Sequence, residues 1–278
     1  MRSLSLLLFA LFTVALSFAV AAPAAIPAAP APKVQTFRLD QPDGPSFLLV
    51  PDTCARDLGC SLVVVSHPRG QTAEHLSGSP AFAAYAEALT RSNFAVLFSN
   101  DGGLTPWGVP AALANLTDLQ TRSTELFRFN GRTYAFGVSM GGLLALRSAQ
   151  QGLYPVSGVV LLDAWADLQG AWAIPGRHRA EVEEAYGASG APSPDLDPMV
   201  LAETSSKLPL FIIGSPDDNA VPFGGNGLRL FDRAAEPGIS QLVMVSGPHL
   251  GGSHFAPALA QRVADFLQQL DRQHQAHQ

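Results

Sequence analysis

Near-continuous apolar runs alternate with amphipathic stretches along most of the chain. Ser61 to Ser66 (Ser-Leu-Val-Val-Val-Ser), Phe94 to Phe98 and Val156 to Leu162 are apolar on both alternating sets of positions. That pattern predicts strands covered on both faces, as in the middle of a parallel sheet. Pro80 to Ser92 repeats apolar residues at helical spacing, with Phe82, Tyr85, Ala86 and Leu89 on one face, and Ala111 to Leu126 also reads as a helix. Val34 to Leu39 and Ser46 to Val50 are short β-type runs separated by Pro-Asp-Gly-Pro, a turn signal, and are expected to pair antiparallel at one sheet edge. Thr133 to Phe136 predicts a strand and Leu143 to Ala149 the helix after it. Leu208 to Ile213 and Gln241 to Val245 predict the last two strands. Pro257 to Leu270 predicts a closing helix, with proline in its first turn and Leu259, Val263, Phe266, Leu267 and Leu270 on one face. Strands alternating with helices imply an α/β fold, a mainly parallel sheet with helices on both faces. No internal repeat is apparent.

Two stretches break the alternation. Trp165 to Lys207 holds Trp165 and Trp172, a charged helical run from Arg177 to Tyr186 and a Gly/Pro/Ser-rich piece from Gly187 to Pro198. It is expected to form a small lid over the strand ends, covering about residues 165–207. The other break is the N-terminus. Met1-Arg2 supplies a positive charge, Leu4 to Val20 is an uncharged apolar run, and Ala19-Val20-Ala21 has the form of an A-x-A cleavage site. Residues 1–21 therefore read as a signal peptide cleaved after Ala21, with secretion or periplasmic export to follow. Residues 22–33 are a Pro/Ala-rich linker, 34–270 the folded domain and 271–278 a polar tail.

The formal net charge of −6 over 278 residues gives no reason to expect nucleic acid or an anionic membrane as partner, and no membrane association is expected after signal cleavage. The two cysteines, Cys54 and Cys60, form an isolated close pair. In an exported chain this predicts a disulfide. The short loop it closes puts its stabilisation on the order of 2 kcal/mol.

Candidate chemistry begins at Gly137-Val138-Ser139-Met140-Gly141, a G-x-S-x-G pattern between the Thr133 to Phe136 strand and the Leu143 to Ala149 helix. A strand turning sharply into a helix holds the central residue in a strained conformation at the tip and crowds its neighbours, so glycine is needed on either side. The turn exposes Ser139 Oγ and leaves the Met140 N–H at a helix N-terminus, aimed at whatever the serine binds. An ordinary turn with a capping serine would share the five residues but not the strand and helix around them.

A serine hydroxyl needs a base, and that base needs a carboxylate to fix its tautomer. In a fold with this turn the chain order is serine, acid, histidine, each at the C-terminal end of a strand. The acid candidates lie in Gly214-Ser215-Pro216-Asp217-Asp218-Asn219-Ala220-Val221-Pro222. Counting from the glycine favours Asp217, and counting back from Val-Pro favours Asp218. Asp163 is a third candidate. His249 follows the last strand almost directly and is preferred as base, because His254 would need the loop to double back. The second oxyanion donor is expected after the Ser61 to Ser66 strand. Pro68 has no N–H, which leaves the backbone of Arg69 as partner to Met140, with His67 bracing the loop and the Arg69 side chain in solvent.

On His67-Pro68-Arg69-Gly70, Gly137 to Gly142, Asp218-Asn219-Ala220-Val221-Pro222 and Gly247-Pro248-His249, the chain resembles the α/β-hydrolase superfamily over essentially all of Val34 to Leu270. Ser99-Asn100-Asp101-Gly102 with Trp107-Gly108, and His249 leading to Ser253-His254-Phe255, are similar to a loosely defined group of secreted or bacterial esterase-like hydrolases. The resemblance implies Asp218 as acid, since Asp-Asn-x-Val-Pro is the usual form of that loop, and His249 as base. It implies an α/β-hydrolase fold and a serine hydrolase that forms an acyl-enzyme, foremost a carboxylesterase acting on a small-molecule or polymer ester without metal or cofactor. The rivals are a peptidase of the prolyl-oligopeptidase type and a hydrolase-fold binding protein. One departure is His67-Pro68, where the usual oxyanion loop has His-Gly.

Overall fold

The computed structural model describes residues 30–56 and 59–276. The expected signal peptide, its cleavage after Ala21 and most of the 22–33 linker lie outside the described residues. Eight strands, β1 (Val34–Leu39), β2 (Ser46–Pro51), β3 (Cys60–Ser66), β4 (Phe94–Ser99), β5 (Phe129–Val138), β6 (Val156–Leu162), β7 (Leu210–Gly214) and β8 (Gln241–Met244), form one sheet in the order β1-β2-β4-β3-β5-β6-β7-β8. β1 and β2 pair antiparallel at one edge, and β2 runs antiparallel to β4. Every pairing from β4 to β8 is parallel. The interleaved helices are α1 (Ala73–Ser77), α2 (Pro80–Arg91), α3 (Pro110–Thr124), α4 (Gly141–Gln150), α5 (Leu168–Ala173), α6 (Arg177–Tyr186), α7 (Pro198–Leu201), α8 (Arg229–Ala234) and α9 (Pro257–Ala276).

The unbroken apolar runs have a direct cause. Successive residues of a strand point to opposite faces, and here both faces are covered. Val63 and Val65 of β3 pack with Phe82, Tyr85 and Leu89 of α2 and with Val263, Phe266 and Leu267 of α9. Leu62 and Val64 pack on the other side with Leu113 and Leu116 of α3 and Leu144 of α4. On that same side β6 and β7 are covered by Met199 of α7 and Leu230 of α8. Phe82, Tyr85 and Phe136 form a three-ring cluster with centroids 5.2–5.5 Å apart, fastening α2 to β5. Cys54 and Cys60 are joined in a disulfide beside β3.

Several bounds differ from the sequence expectation. α3 stops at Thr124 rather than Leu126, and β7 begins at Leu210 rather than Leu208. Leu208 makes only an isolated bridge to Ala235, and Pro209 has no N–H to continue a ladder. α1, α5, α7 and α8 are too short to show a helical period. The largest difference is at the C-terminus, where α9 runs on to Ala276 through most of the stretch read as a polar tail. Asp271 explains this. Its carboxylate accepts from Arg132 Nε (2.8 Å), the Tyr134 hydroxyl (2.5 Å) and the Ser61 hydroxyl (2.7 Å), so the helix is tied back across β5 and β3. Burial, the Asp271 charge and its hydrogen bond together raise the Tyr134 pKa, so the phenol stays a donor.

Asp271→Asn should leave Arg132, at 10% side-chain exposure, without its counter-charge. Breaking such a pair from one side costs about 3 kcal/mol. Thermal unfolding should show a Tm lower by several degrees, and an unchanged Tm would mean that the end of α9 is not anchored by this contact.

Candidate active site

The C-terminal ends of β5, β6, β7 and β8 lie side by side, so the residues that follow them converge. Ser139 follows β5 with a φ of 52°, left-handed for a non-glycine residue. Its backbone is held from three directions. Its N–H donates to the Leu162 carbonyl (3.0 Å), and its carbonyl accepts from the N–H groups of Trp165 (2.9 Å) and Gly142 (3.0 Å). The glycines are required by contact. A Cβ on Gly137 would lie 2.5 Å from Gly142 Cα, and one on Gly141 would lie 2.3 Å from the Ser66 carbonyl oxygen. α4 therefore packs directly against the ends of β5 and β3, which no side chain would allow.

Ser139 Oγ lies 2.9 Å from His249 Nε2, and His249 Nδ1 lies 2.7 Å from Asp218 Oδ2. With Nδ1–H donating to the carboxylate, Nε2 is the acceptor for the serine hydroxyl. The Asp218 side chain is buried, and its other oxygen accepts from the N–H groups of Ala220 and Val221, both at 2.8 Å. These bonds fix the carboxylate so that Oδ2 faces the imidazole. Asp217 is exposed and reaches only the Gly247 N–H, at 3.4 Å.

The two remaining sequence candidates, Asp163 and His254, are paired with each other. Asp163 follows β6 with a φ of 44°. Its Oδ2 accepts from the Leu250 N–H (2.7 Å) and lies 2.9 Å from His254 Nε2 and 3.8 Å from His249 Nδ1. His254 is fully buried, and its Nδ1 faces the Gly251 carbonyl. Burial alone would lower the His254 pKa, but hydrogen bonds to Asp163 and the Gly251 carbonyl, with the charges of Asp163 and Asp218, raise it on balance. Asp163, Asp218 and His249 bring possible metal-ligating atoms within 4.8 Å of one another. Each of these groups is already committed to hydrogen bonds, which suits a proton-transfer network better than a metal.

After β3, the buried His67 ring sits between the carbonyl oxygens of Pro68 (2.7 Å) and Asn100 (3.2 Å), and its backbone N–H donates to Asp101 Oδ2 (2.7 Å). Gly70 N–H is held by the Leu104 carbonyl (2.8 Å). Among the described residues the backbone N–H groups of Arg69 and Met140 make no backbone hydrogen bond. The Arg69 side chain is not free in solvent as expected. It is half-buried and pairs with Glu181 of α6 (3.0 Å), because the insertion lies close over this loop.

Pro68, Arg69, Gln71, Trp165, His178, Val221 and Leu250 line a cleft of about 180 Å³ over Ser139 and His249. His178 escaped the sequence reading. It lies in the charged run of α6, and only the packing of α6 turns it toward the cleft. Its ring stands edge-on to Trp107 and Trp165, with centroids 5.6 and 5.7 Å away. Burial, then the charge of Arg69, lower its pKa, which favours the neutral ring. Trp107 is fully buried behind the cleft. Trp172 does not line the cleft; its indole N–H donates to Glu183 (3.1 Å) and the Arg179 guanidinium lies over its ring.

Sheet order, helix placement and the turn at Ser139 together are those of an α/β-hydrolase fold. Solved structures with this arrangement include Est1E from Butyrivibrio proteoclasticus, 15% identical, with a TM-score of 0.64 over 85% of this chain and 99% of that one. Est1E is also known with ferulic acid bound. FphF, a fluorophosphonate-binding serine hydrolase of Staphylococcus aureus, is 14% identical with a TM-score of 0.66, over 85% of this chain and 98% of that one. An S-formylglutathione hydrolase from Agrobacterium tumefaciens is 15% identical with a TM-score of 0.63, over 87% and 96%. No protein-family model and no curated protein sequence matches the chain.

Two outcomes follow from the packing. Gly141→Ala should force α4 off β3 and destabilise the protein by about 1–3 kcal/mol, read as a lower denaturation midpoint. Full stability in this variant would mean that the contact with Ser66 relaxes freely. A raised His254 pKa stabilises the folded state fully below the unfolded value of about 6.5 and loses that effect as pH rises through the folded value. The Tm gap between wild type and His254→Gln should therefore be wider at pH 6 than at pH 9.5, and an equal gap at both would exclude a charged His254 in the native state.

Proposed function

We propose that the chain is an exported serine hydrolase of the carboxylesterase type. The observation that carries this reading is the continuous hydrogen-bonded series from Ser139 Oγ through His249 to Asp218. In the proposed reaction Ser139 Oγ attacks an ester carbonyl while His249 Nε2 takes the hydroxyl proton. Asp218 accepts from Nδ1–H, which fixes the tautomer and favours the imidazolium that forms. The N–H groups of Arg69 and Met140 are the proposed donors to the oxyanion. Collapse of the tetrahedral intermediate expels the alcohol, protonated by His249. Water, activated by the same imidazole, then releases the acid and restores the serine.

The substrate proposed is the ester of a small or aromatic carboxylic acid. The narrow cleft, walled by Trp165, Val221 and Leu250, supports that choice, as does the ferulic acid seen in Est1E. Export is supported by the disulfide and by the sequence of residues 1–21. Among the described residues no helix is long and apolar enough to cross a membrane.

A fluorophosphonate probe should label Ser139, and short-chain or cinnamoyl-type nitrophenyl esters should turn over. Ser139→Ala should lose both, with kcat/KM falling at least about a thousandfold, and His249→Ala should behave alike. Folded wild-type protein that takes no label would move the reading to a non-catalytic binding protein. An aminoacyl-proline amide cleaved faster than any ester would move it to a peptidase.

A further inference from the structure

A second acid–histidine pair stands beside the proposed series and takes no part in it. Asp163 and His254 are both buried, and their side chains meet at 2.9–3.0 Å. Asp163 is held in a left-handed conformation, which a non-glycine residue keeps only where surrounding contacts impose it. That conformation turns its carboxylate under the loop after β8. There it accepts the N–H of Leu250, the residue next to His249, and comes within 3.8 Å of His249 Nδ1. Two carboxylates thus face one imidazole, Asp218 at 2.7 Å and Asp163 at 3.8 Å. Unbalanced, the second would hold a proton on His249 and oppose its work as a base.

His254 supplies the balance. Both its ring nitrogens face acceptors, the Asp163 carboxylate and the Gly251 carbonyl, and only an imidazolium donates to both. Its backbone is fixed as well, because the Tyr85 hydroxyl of α2 donates to its carbonyl (2.7 Å). Among the described residues, His178 of α6 and Arg69 of the loop after β3 also line the cleft at His249, and Asp217 accepts from the Gly247 N–H of the same loop.

We propose that Asp163 and His254 are positioning residues for His249: Asp163 anchors the base's loop through Leu250, and His254 cancels the Asp163 charge so that Asp218 alone orients the imidazole. This rests on the serine-hydrolase reading above.

The test is the pH profile of kcat/KM for a nitrophenyl ester, together with fluorophosphonate labelling of Ser139. In His254→Gln the acid limb should move up by about one pH unit, since an opposite charge within 4–6 Å shifts a titration by that much or more. Asp163→Asn keeps an acceptor for Leu250 N–H but removes the charge, and should move the limb down. A combined variant should return the limb close to wild type. If His254→Gln fails to fold, Asp163→Asn decides alone: a downward shift supports the pairing, and no shift or an upward one overturns it. Labelled Ser139 with an unmoved limb in both variants would overturn the pairing and leave the hydrolase reading intact. Wild-type protein without label would remove the hydrolase reading itself. Loss of labelling in His254→Gln but not in His249→Ala would make His254 the base and overturn the positioning role.

Discussion

The backbone of Ser139 is held where its own conformational preference would not put it. A left-handed residue at the end of a buried strand costs about 1–3 kcal/mol, offset here by β5, whose last residues are buried from Arg132 through Val138. Three backbone hydrogen bonds then clamp the serine to β6 and to the first turn of α4. The clamp works only because Gly137, Gly141 and Gly142 let three chain segments approach to distances that a Cβ would forbid. The same approach sets the line of α4, and the position of α4 sets where the Trp107 loop and the insertion pack.

Parallel topology does the rest of the assembly. Strands running the same way end on the same edge, so Asp163, Asp218 and His249 meet although they are distant in sequence. Each buried carboxylate there is satisfied separately. Asp218 is held by the N–H groups of its own turn, and Asp163 by Leu250 and His254. A buried carboxylate lacking such partners would protonate and cease to orient anything. The network is therefore a folding constraint in its own right.

The insertion between β6 and β7 is attached by a different physics. Trp107, Met140, Leu143, Trp165, Leu168 and Val182 form a small apolar cluster of their own. Around its margin, Glu181 pairs with Arg69 and lies 3.4 Å from Arg177, and Tyr186 donates to the Trp107 carbonyl. Arg69 thus joins two things: its backbone belongs to the loop facing Ser139, and its side chain belongs to the contact with α6. Movement of the insertion would be felt at that loop.

Residue order alone was enough to read the alternating strands and helices, the antiparallel edge, the closing helix and the turn around Ser139. Those features rest on local rules: period two or 3.6, proline at a helix start, glycine where the chain must turn sharply. It also narrowed the candidate acid to Asp217, Asp218 or the more distant Asp163, and the candidate base to His249 or His254. Counting along the loop left Asp217 and Asp218 open and only the resemblance favoured Asp218; packing sets them apart, one exposed and the other facing His249, because neighbours in sequence point apart on a tight turn. Packing likewise set Asp163 against His254, turned His178 into the cleft, buried the Arg69 side chain against Glu181 and carried α9 on through Asp271. Each of these depends on contacts between residues far apart in the chain, which leave no period in the sequence to read.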